Sequence, residues 1–299
     1  MKGRPGSWLK GSMVALVTPF KDGEVDVATL QRLVEFHLKS GTSGIVPCGT
    51  TGESATLSHE EHEQVIEMTV QAARGRVAVI AGTGSNNTQE ALRFTRHAER
   101  AGADGALLIA PYYNKPTQEG LYRHFRAVAE AGGLPIVVYN IASRTGVNIE
   151  PETFARLSKI PNIAAVKESS GNLEQMSRIK QLCGDRVVLL SGDDSLTLPV
   201  LAIGGTGVVS VVANIVPKPV AQMVAAFHKG NLAQARKIHY ELLPLVRAMF
   251  IETNPIPVKT AMGLMGLIKD AGLRLPMCAM SPANLAKLKE TLRAYRLTR

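Results

Sequence analysis

The sequence predicts a (β/α)8 barrel with a C-terminal helical extension, an α/β fold of the TIM-barrel type. Eight short runs of apolar or β-branched residues recur along the first two thirds of the chain, with helix-like stretches between them. The runs do not alternate between apolar and polar residues, which is typical of parallel strands buried on both faces. They recur roughly every 30 residues, and this regularity favours a closed barrel over an open doubly wound sheet.

Each repeating unit places a strand before a helix. The predicted strands begin, in chain order, at Met13, Gly44, Val77, Gly105, Pro135, Ile163, Val187 and Gly207. The predicted helices span residues 26–40, 58–74, 88–101, 117–131, 152–159, 172–183, a short stretch after Ser195, and 217–229. Ser58, with Glu61 three residues later, has the pattern of a capping box and therefore marks the start of the second helix.

No strand pattern returns after Gly230. Three later stretches, at residues 231–251, 257–271 and 282–296, have helical periodicity. We therefore predict a (β/α)8 barrel over residues 1–230 and a helical region over residues 231–299.

Composition narrows the class of protein. Hydrophobic residues make up 45% of the 299 residues and charged residues 20%, which argues against a disordered chain. The formal net charge is +9, but lysine and arginine are scattered over the predicted helices and form no stripe. This scatter argues against nucleic-acid binding and is compatible with a small anionic ligand.

The cysteines and the hydropathy of the chain indicate the cellular compartment in which the protein is expected. Cys48, Cys183 and Cys278 are widely spaced and make no CxxC pair, so neither a disulfide framework nor a zinc site is indicated. No apolar core of signal-peptide length follows Lys2 and Arg4, and no stretch of about 18 apolar residues occurs. We expect a cytoplasmic protein that does not enter a membrane.

Polar side chains collect at the C-terminal ends of the predicted strands, where a barrel builds its active site. Lys167 stands out because it lies inside the apolar run IAAVKES, and a buried ammonium is costly unless it is paired. Two interpretations are open: a nucleophilic amine, or a structural lysine paired with Glu168 or Asp193. Tyr139 ends the preceding strand, about 5 Å away, and could exchange protons with the amine, although alone it is more often a rim aromatic.

Of two glycine-containing loops, one suggests an anion site and the other does not fit the nucleotide-binding motif that it resembles. The loop GTTGES, residues 49–54, precedes a capped helix, so its amides and hydroxyls suit a carboxylate. It is not a P-loop, because the GK[ST] sequence is missing. The loop GTGSNN, residues 82–87, lacks the third glycine and the later acidic residue of a dinucleotide-binding motif.

A histidine pair and an arginine have the chemistry of ligand-binding groups. His59 and His62 are three residues apart, which differs from the spacing of zinc proteases, so we interpret them as solvated helix residues and expect no metal. Arg144, in a predicted loop just after Tyr139, is a candidate bidentate clamp for a carboxylate.

Together these motifs resemble the dihydrodipicolinate synthase branch of the N-acetylneuraminate lyase family of class I aldolases. The similarity extends over nearly the whole chain through VTPF at Val17, GTTGES at Gly49, PYYNKPTQEGLYRHF at Pro111, YNIASRTG at Tyr139, VKESSGN at Val166, SGDD at Ser191 and GVVSVVAN at Gly207. The resemblance implies condensation of pyruvate with L-aspartate 4-semialdehyde, in diaminopimelate and lysine biosynthesis. It also implies that no metal or organic cofactor is used, and that the enzyme is a homo-oligomer, usually a tetramer.

The resemblance assigns catalytic roles to four positions. Lys167 matches the lysine that forms the imine with pyruvate. Tyr139 and Thr50 match the residues that transfer protons, and Tyr113 matches a tyrosine contributed by a neighbouring subunit.

Four further positions match residues that bind substrate. Thr51 matches a ligand of the pyruvate carboxylate, Arg144 the clamp for the aldehyde's carboxylate, and Gly192 and Val209 main-chain contacts near the imine. Ala142 replaces a proline that is common in the family, and we expect a less rigid segment there.

Seven residues match positions that bind the feedback inhibitor L-lysine in sensitive members of the family. They are Ser54, Ala55, His59, His62, Asn86, Glu90 and Tyr112. A carboxylate suits the ammonium groups of lysine, and amide and phenol groups suit its carboxylate. The alternative is a set of ordinary polar residues at a subunit interface. Insensitive relatives often carry a bulky basic residue in place of His62, so the histidine favours inhibition.

Two other functions are compatible with these motifs. A neuraminate or 2-keto-3-deoxy sugar acid lyase would share Lys167 and Tyr139 but differ in its acceptor pocket, and Arg144 favours the synthase. A non-catalytic keto-acid-binding regulator would share the barrel, but Lys167, Tyr139 and Thr50 argue against it.

Overall fold

Eight parallel strands close into a barrel in the computed structural model, which describes residues 6–298. Lys2 and Arg4 lie outside the described residues. The described residues form ten strands, of which β1 and β4 to β10 make the barrel. In chain order they are β1 (Gly11–Ala15), β2 (Phe20–Lys21), β3 (Glu24–Val25), β4 (Gly44–Val46), β5 (Ala78–Gly82), β6 (Gly105–Ile109), β7 (Ile136–Asn140), β8 (Ile163–Glu168), β9 (Val188–Ser191) and β10 (Gly207–Ser210). From β4 to β10 each strand pairs with the next in the chain, and β1 joins β4 to β10. The predicted barrel is confirmed.

One difference from the prediction concerns the first strand. The apolar run from Met13 to Phe20 was predicted as a single strand, but β1 ends at Ala15, and Phe20 belongs to a short antiparallel hairpin formed by β2 and β3. Hydrophobicity alone does not reveal this break, because the residues from Ala15 to Phe20 remain buried after the strand ends.

Helices follow the barrel strands and continue beyond them. They are α1 (Val27–Leu38), α2 (His59–Ala73), α3 (Thr88–Arg100), α4 (Gln118–Glu130), α5 (Ala142–Thr145), α6 (Pro151–Leu157), α7 (Leu173–Cys183), α8 (Thr197–Ala202), α9 (Pro217–His228), α10 (Leu232–Met249), α11 (Ile256–Leu264) and α12 (Pro282–Ala294). The last three form the predicted C-terminal extension. Among residues 6–298, no helix has both the length and the apolar character needed to span a membrane.

The short helix α5 was not predicted, and Arg144 therefore lies on a helical turn instead of in a loop. Four residues are too few to show helical periodicity in a sequence. The turn is closed by the N–H of Gly146, which donates to the carbonyl oxygen of Ala142 at 2.9 Å.

The core has two layers that the strands separate. One layer fills the barrel interior and includes Val137, Tyr139, Ala165 and Val209, while the larger one lies between the strands and the surrounding helices. From Ala165 onward the side chains of β8 alternate between these layers, since Ala165 belongs to the interior layer and Val166 to the outer one. Lys167, two residues after Ala165, therefore faces the barrel interior.

Candidate active site

Lys167 and Tyr139 lie side by side at the carboxyl ends of neighbouring strands. They are paired in the register of β7 and β8, and they are 5% and 4% exposed. The Nζ atom of Lys167 lies over the phenol ring, 3.7 Å from its centroid. The strand register thus brings an amine and a phenol together, as the sequence predicted.

The carboxylates considered as partners for Lys167 bind elsewhere. Glu168 faces the helices, where it accepts hydrogen bonds from Asn140 and Gln175, and burial raises its pKa. Asp193 accepts hydrogen bonds from the backbone and hydroxyl of Ser195. Lys167 forms no ion pair with any carboxylate among residues 6–298. The interpretation of Lys167 as a structural lysine paired with Glu168 or Asp193 is therefore wrong.

Gly192 provides the space that the Lys167 side chain occupies. A Cβ atom at Gly192 would lie 2.9 Å from Cε and 3.0 Å from Cγ of Lys167, and 2.0 Å from Oγ of Ser169. Real Cβ contacts are not this short, so only glycine fits without a shift of the lysine. Val209, also predicted near this point, is buried in the same interior layer as Tyr139.

The loop after β4 carries the two predicted threonines. Thr51 is buried, and its hydroxyl accepts a hydrogen bond from the amide of Asn254 at 3.0 Å. Thr50 lines a cavity at the mouth of the barrel. The hydroxyl of Thr18 donates to the carbonyl of Gly52 at 2.7 Å, so the loop is bound to the segment that follows β1.

Asn254 is a site residue that the sequence reasoning missed. It follows α10, its carbonyl accepts a hydrogen bond from Arg144 at 2.8 Å, and its amide contacts Thr51. Its side-chain oxygen is buried and has no hydrogen-bond partner within the described residues. No local signal marks Asn254, because it lies between two helices of the C-terminal extension, far in sequence from the strands.

One cavity of about 550 Å³ connects the predicted catalytic and inhibitor residues. Thr50, Tyr139 and Arg144 line one part of it. The residues of the predicted lysine site that line the rest are Ser54, Ala55, His59, His62, Glu90 and Tyr112. Lys167 does not line the cavity itself. Its amine packs against the ring of Tyr139, and Tyr139 does line the cavity. A volume of this size suits a small metabolite.

The predicted inhibitor end of the cavity is built around Glu90. Its carboxylate oxygens are 2.7 Å from Nε2 of His59 and 2.5 Å from the hydroxyl of Ser85. Burial raises the pKa of Glu90, but these hydrogen bonds lower it, and the pKa lies below its usual value. His62 stacks on Phe94 with the ring centroids 4.0 Å apart.

The interpretation of the two histidines as solvated residues is wrong for His62. It is 3% exposed, and burial lowers its pKa to about 4. The turn of α2 that carries it faces α3, so helix packing encloses the ring. Among residues 6–298, no cluster of three histidine, cysteine, aspartate or glutamate side chains is placed to hold a metal ion.

Asn86 and Tyr113 are two further predicted residues that do not line the cavity within this chain. Asn86 donates its amide to the carbonyl of Tyr112 at 3.1 Å. Tyr113 is 89% exposed and adopts a left-handed backbone conformation with φ of 74°. Its N–H donates to the carbonyl of Thr145. The chain therefore does not bring Tyr113 to its own catalytic residues.

The family model described as the dihydrodipicolinate synthetase family matches residues 8–295. The chain belongs to this family. A 4-hydroxy-tetrahydrodipicolinate synthase from Syntrophus aciditrophicus (strain SB) is 58% identical over 288 residues, covering 96% of this chain and 99% of the relative. As a family member with relatives of that name, the chain is a Schiff-base-forming lyase of the class I aldolase type.

Two solved structures of the family are similar to this chain. Dihydrodipicolinate synthase from Acinetobacter baumannii, chloride inhibited and complexed with pyruvate, has a TM-score of 0.94 and 43% identity, and the match covers 96% of this chain and 99% of that one. The enzyme from Cyanidioschyzon merolae with lysine bound has a TM-score of 0.93 and 41% identity, and the match covers 97% and 99%.

We predict that Gly192→Ala lowers the free energy of unfolding by about 1–3 kcal/mol, because the added methyl group displaces the side chains of Ser169 and Lys167. Urea denaturation measures this change. Gly49→Ala is the matched control, because a Cβ there would meet only Cγ1 of Val46, at 3.9 Å. Equal stability of the two variants would show that Gly192 is not needed to accommodate Lys167.

Proposed function

We propose that this chain condenses pyruvate with L-aspartate 4-semialdehyde to 4-hydroxy-tetrahydrodipicolinate, through an imine on Lys167. The observation that carries the proposal is the Lys167 amine, which is buried, has no carboxylate partner among residues 6–298, and lies 3.7 Å from the centroid of the Tyr139 ring. The name of the Syntrophus relative and the pyruvate complex of the Acinetobacter enzyme support the same reaction.

The chemistry begins with the attack of the Lys167 amine on the ketone of pyruvate. Loss of water gives an imine, whose positive nitrogen makes the adjacent methyl group acidic. Removal of a methyl proton gives an enamine that attacks the aldehyde carbon. Tyr139, in contact with the amine, and Thr50, which lines the same cavity, exchange protons with the reacting atoms. The amine of the product then displaces Lys167 in a cyclisation and releases the enzyme.

Four residues would hold the two substrates. Thr51 would bind the pyruvate carboxylate, and the main chain of Gly192 and Val209 would contact the imine. Arg144 would bind the carboxylate of the semialdehyde with its guanidinium group, which suits a bidentate contact. Its bond to the Asn254 carbonyl fixes one face of that group and leaves further N–H donors for the substrate.

The assembly we propose is a homotetramer in the cytoplasm. Tyr113 supports an oligomer because its ring projects from the chain while its backbone is fixed by Thr145. In this arrangement, the ring of one protomer reaches the cavity of its partner.

We further propose that L-lysine inhibits the enzyme from the end of the cavity that contains Glu90. The carboxylate of Glu90 would bind an ammonium group, and Asn86 and Tyr112 would bind the lysine carboxylate. His62, uncharged near neutral pH because its pKa is about 4, would not repel the inhibitor's ammonium groups. The lysine complex of the Cyanidioschyzon enzyme supports this binding.

Lys167→Ala is expected to abolish condensation of pyruvate with L-aspartate 4-semialdehyde, because the covalent intermediate cannot form. Product formation in a coupled assay tests the proposal. Lys218→Ala, at an exposed lysine on α9, is the control and should retain full activity. Retained activity in Lys167→Ala would overturn the assignment. Condensation of pyruvate with sugar aldehydes in place of the semialdehyde would favour the related lyases.

Glu90→Ala should remove inhibition by L-lysine while leaving the uninhibited rate nearly unchanged. Initial rates over a range of lysine concentrations test this expectation. Glu67→Ala is the matched control, because Glu67 pairs with His97 at 2.9 Å, as Glu90 does with His59, but does not line the cavity. Inhibition of Glu90→Ala equal to that of Glu67→Ala, or an uninhibited wild type, would contradict the lysine site.

A further inference from the structure

A buried ion pair lies behind the loop that carries Thr50 and Thr51. The Nζ atom of Lys259, on α11, is 2.6 Å from Oε1 of Glu53, and both side chains are almost fully buried. Lys259 also lies over the ring of Phe20, 4.1 Å from its centroid. Burial lowers the pKa of Lys259, and the charge of Glu53 opposes that effect.

Glu53 sits at a strained point of the loop. Its backbone has φ of 54°, in the left-handed region that residues with a side chain rarely adopt. Its N–H donates to the carbonyl of Thr50 at 3.2 Å. A backbone conformation of this kind persists where the surrounding contacts hold it. The side-chain bond to Lys259 is such a contact.

Arg274 holds the same loop at a second point. Its N–H donates to Oε2 of Glu53 at 3.1 Å, so both carboxylate oxygens are bound. Its guanidinium group forms two hydrogen bonds with Glu61, at 2.6 and 2.5 Å, and one with the carbonyl of Thr56 at 3.0 Å. The C-terminal region is therefore hydrogen-bonded to the loop at Glu53 and Thr56.

We propose that Glu53 and Lys259 are positioning residues that hold Thr50 in place for proton transfer. This inference rests on the proposed function, in which Thr50 exchanges protons with the pyruvate adduct. Glu53 lines the same cavity as Thr50, but both of its carboxylate oxygens are bound, one by Lys259 and one by the backbone N–H of Arg274, and Lys259 does not line the cavity. The pair acts through the backbone, because Glu53 is bonded to the Thr50 carbonyl.

If the Glu53–Lys259 pair only stabilised the fold, a different result would be expected from its variants. Replacing both members of a buried ion pair by uncharged residues is often neutral for stability, whereas removing one member leaves an unpaired buried charge. The double variant Glu53→Gln/Lys259→Met should therefore be more stable than Lys259→Met. If the pair only stabilises the fold, the activity should recover along with the stability. If it positions Thr50, the activity should stay low.

The experiment measures two half-reactions that need pyruvate alone. Borohydride trapping reports imine formation, and NMR reports exchange of the pyruvate methyl protons with solvent deuterium, which requires proton transfer. We expect Lys259→Met, Glu53→Gln and the double variant to form the imine at saturating pyruvate. Methyl exchange and kcat for the condensation should each fall about 10- to 100-fold, the scale for a displaced proton-transfer group.

Leu292→Ala is the control for a general loss of stability. Leu292 is fully buried on α12, on a different helix from Lys259, so the variant should lower Tm and keep normal exchange at temperatures where it is folded. Normal exchange and kcat in the double variant would overturn the positioning role alone. Absence of imine and exchange in the wild type would overturn the proposed function, and this inference with it.

Discussion

An amine buried in the interior of a closed barrel is the constraint around which the rest of the site is arranged. All six residues of β8 are buried, so its two charged residues must be accommodated on opposite faces. Glu168 faces the helices and is satisfied by amide donors. Lys167 faces inward, where it needs an empty position at Gly192 and an aromatic surface at Tyr139. The space at Gly192 and the ring of Tyr139 thus set the surroundings in which the Lys167 amine reacts.

The C-terminal extension is part of the wall of this site. Asn254 bonds to both Thr51 and Arg144, and thereby links the loop after β4 to the helix after β7. Lys259 and Arg274 bind the same loop from behind. The barrel strands place the reactive groups, and the extension fixes the loop that surrounds them.

The sequence predicted the parts of the structure that depend on local pattern. Continuous apolar runs at regular spacing predicted the eight strands, and polar residues at their ends predicted that Tyr139 and Lys167 would meet. The family resemblance added the residues that line the cavity. Contacts between distant segments were out of reach, because nothing in the local sequence connects Glu53 with Lys259, or Thr51 with Asn254. The burial of His62 also depends on packing, here against Phe94.

The most direct test of this account is to map the borohydride-reduced pyruvate adduct of the wild-type enzyme by tandem mass spectrometry. The account predicts one modified peptide, with the adduct on Lys167. Lys259 is the internal comparison, since it is also a buried lysine but has Glu53 as its partner. An adduct on Lys259 or another lysine, or no adduct at all, would contradict the central claim.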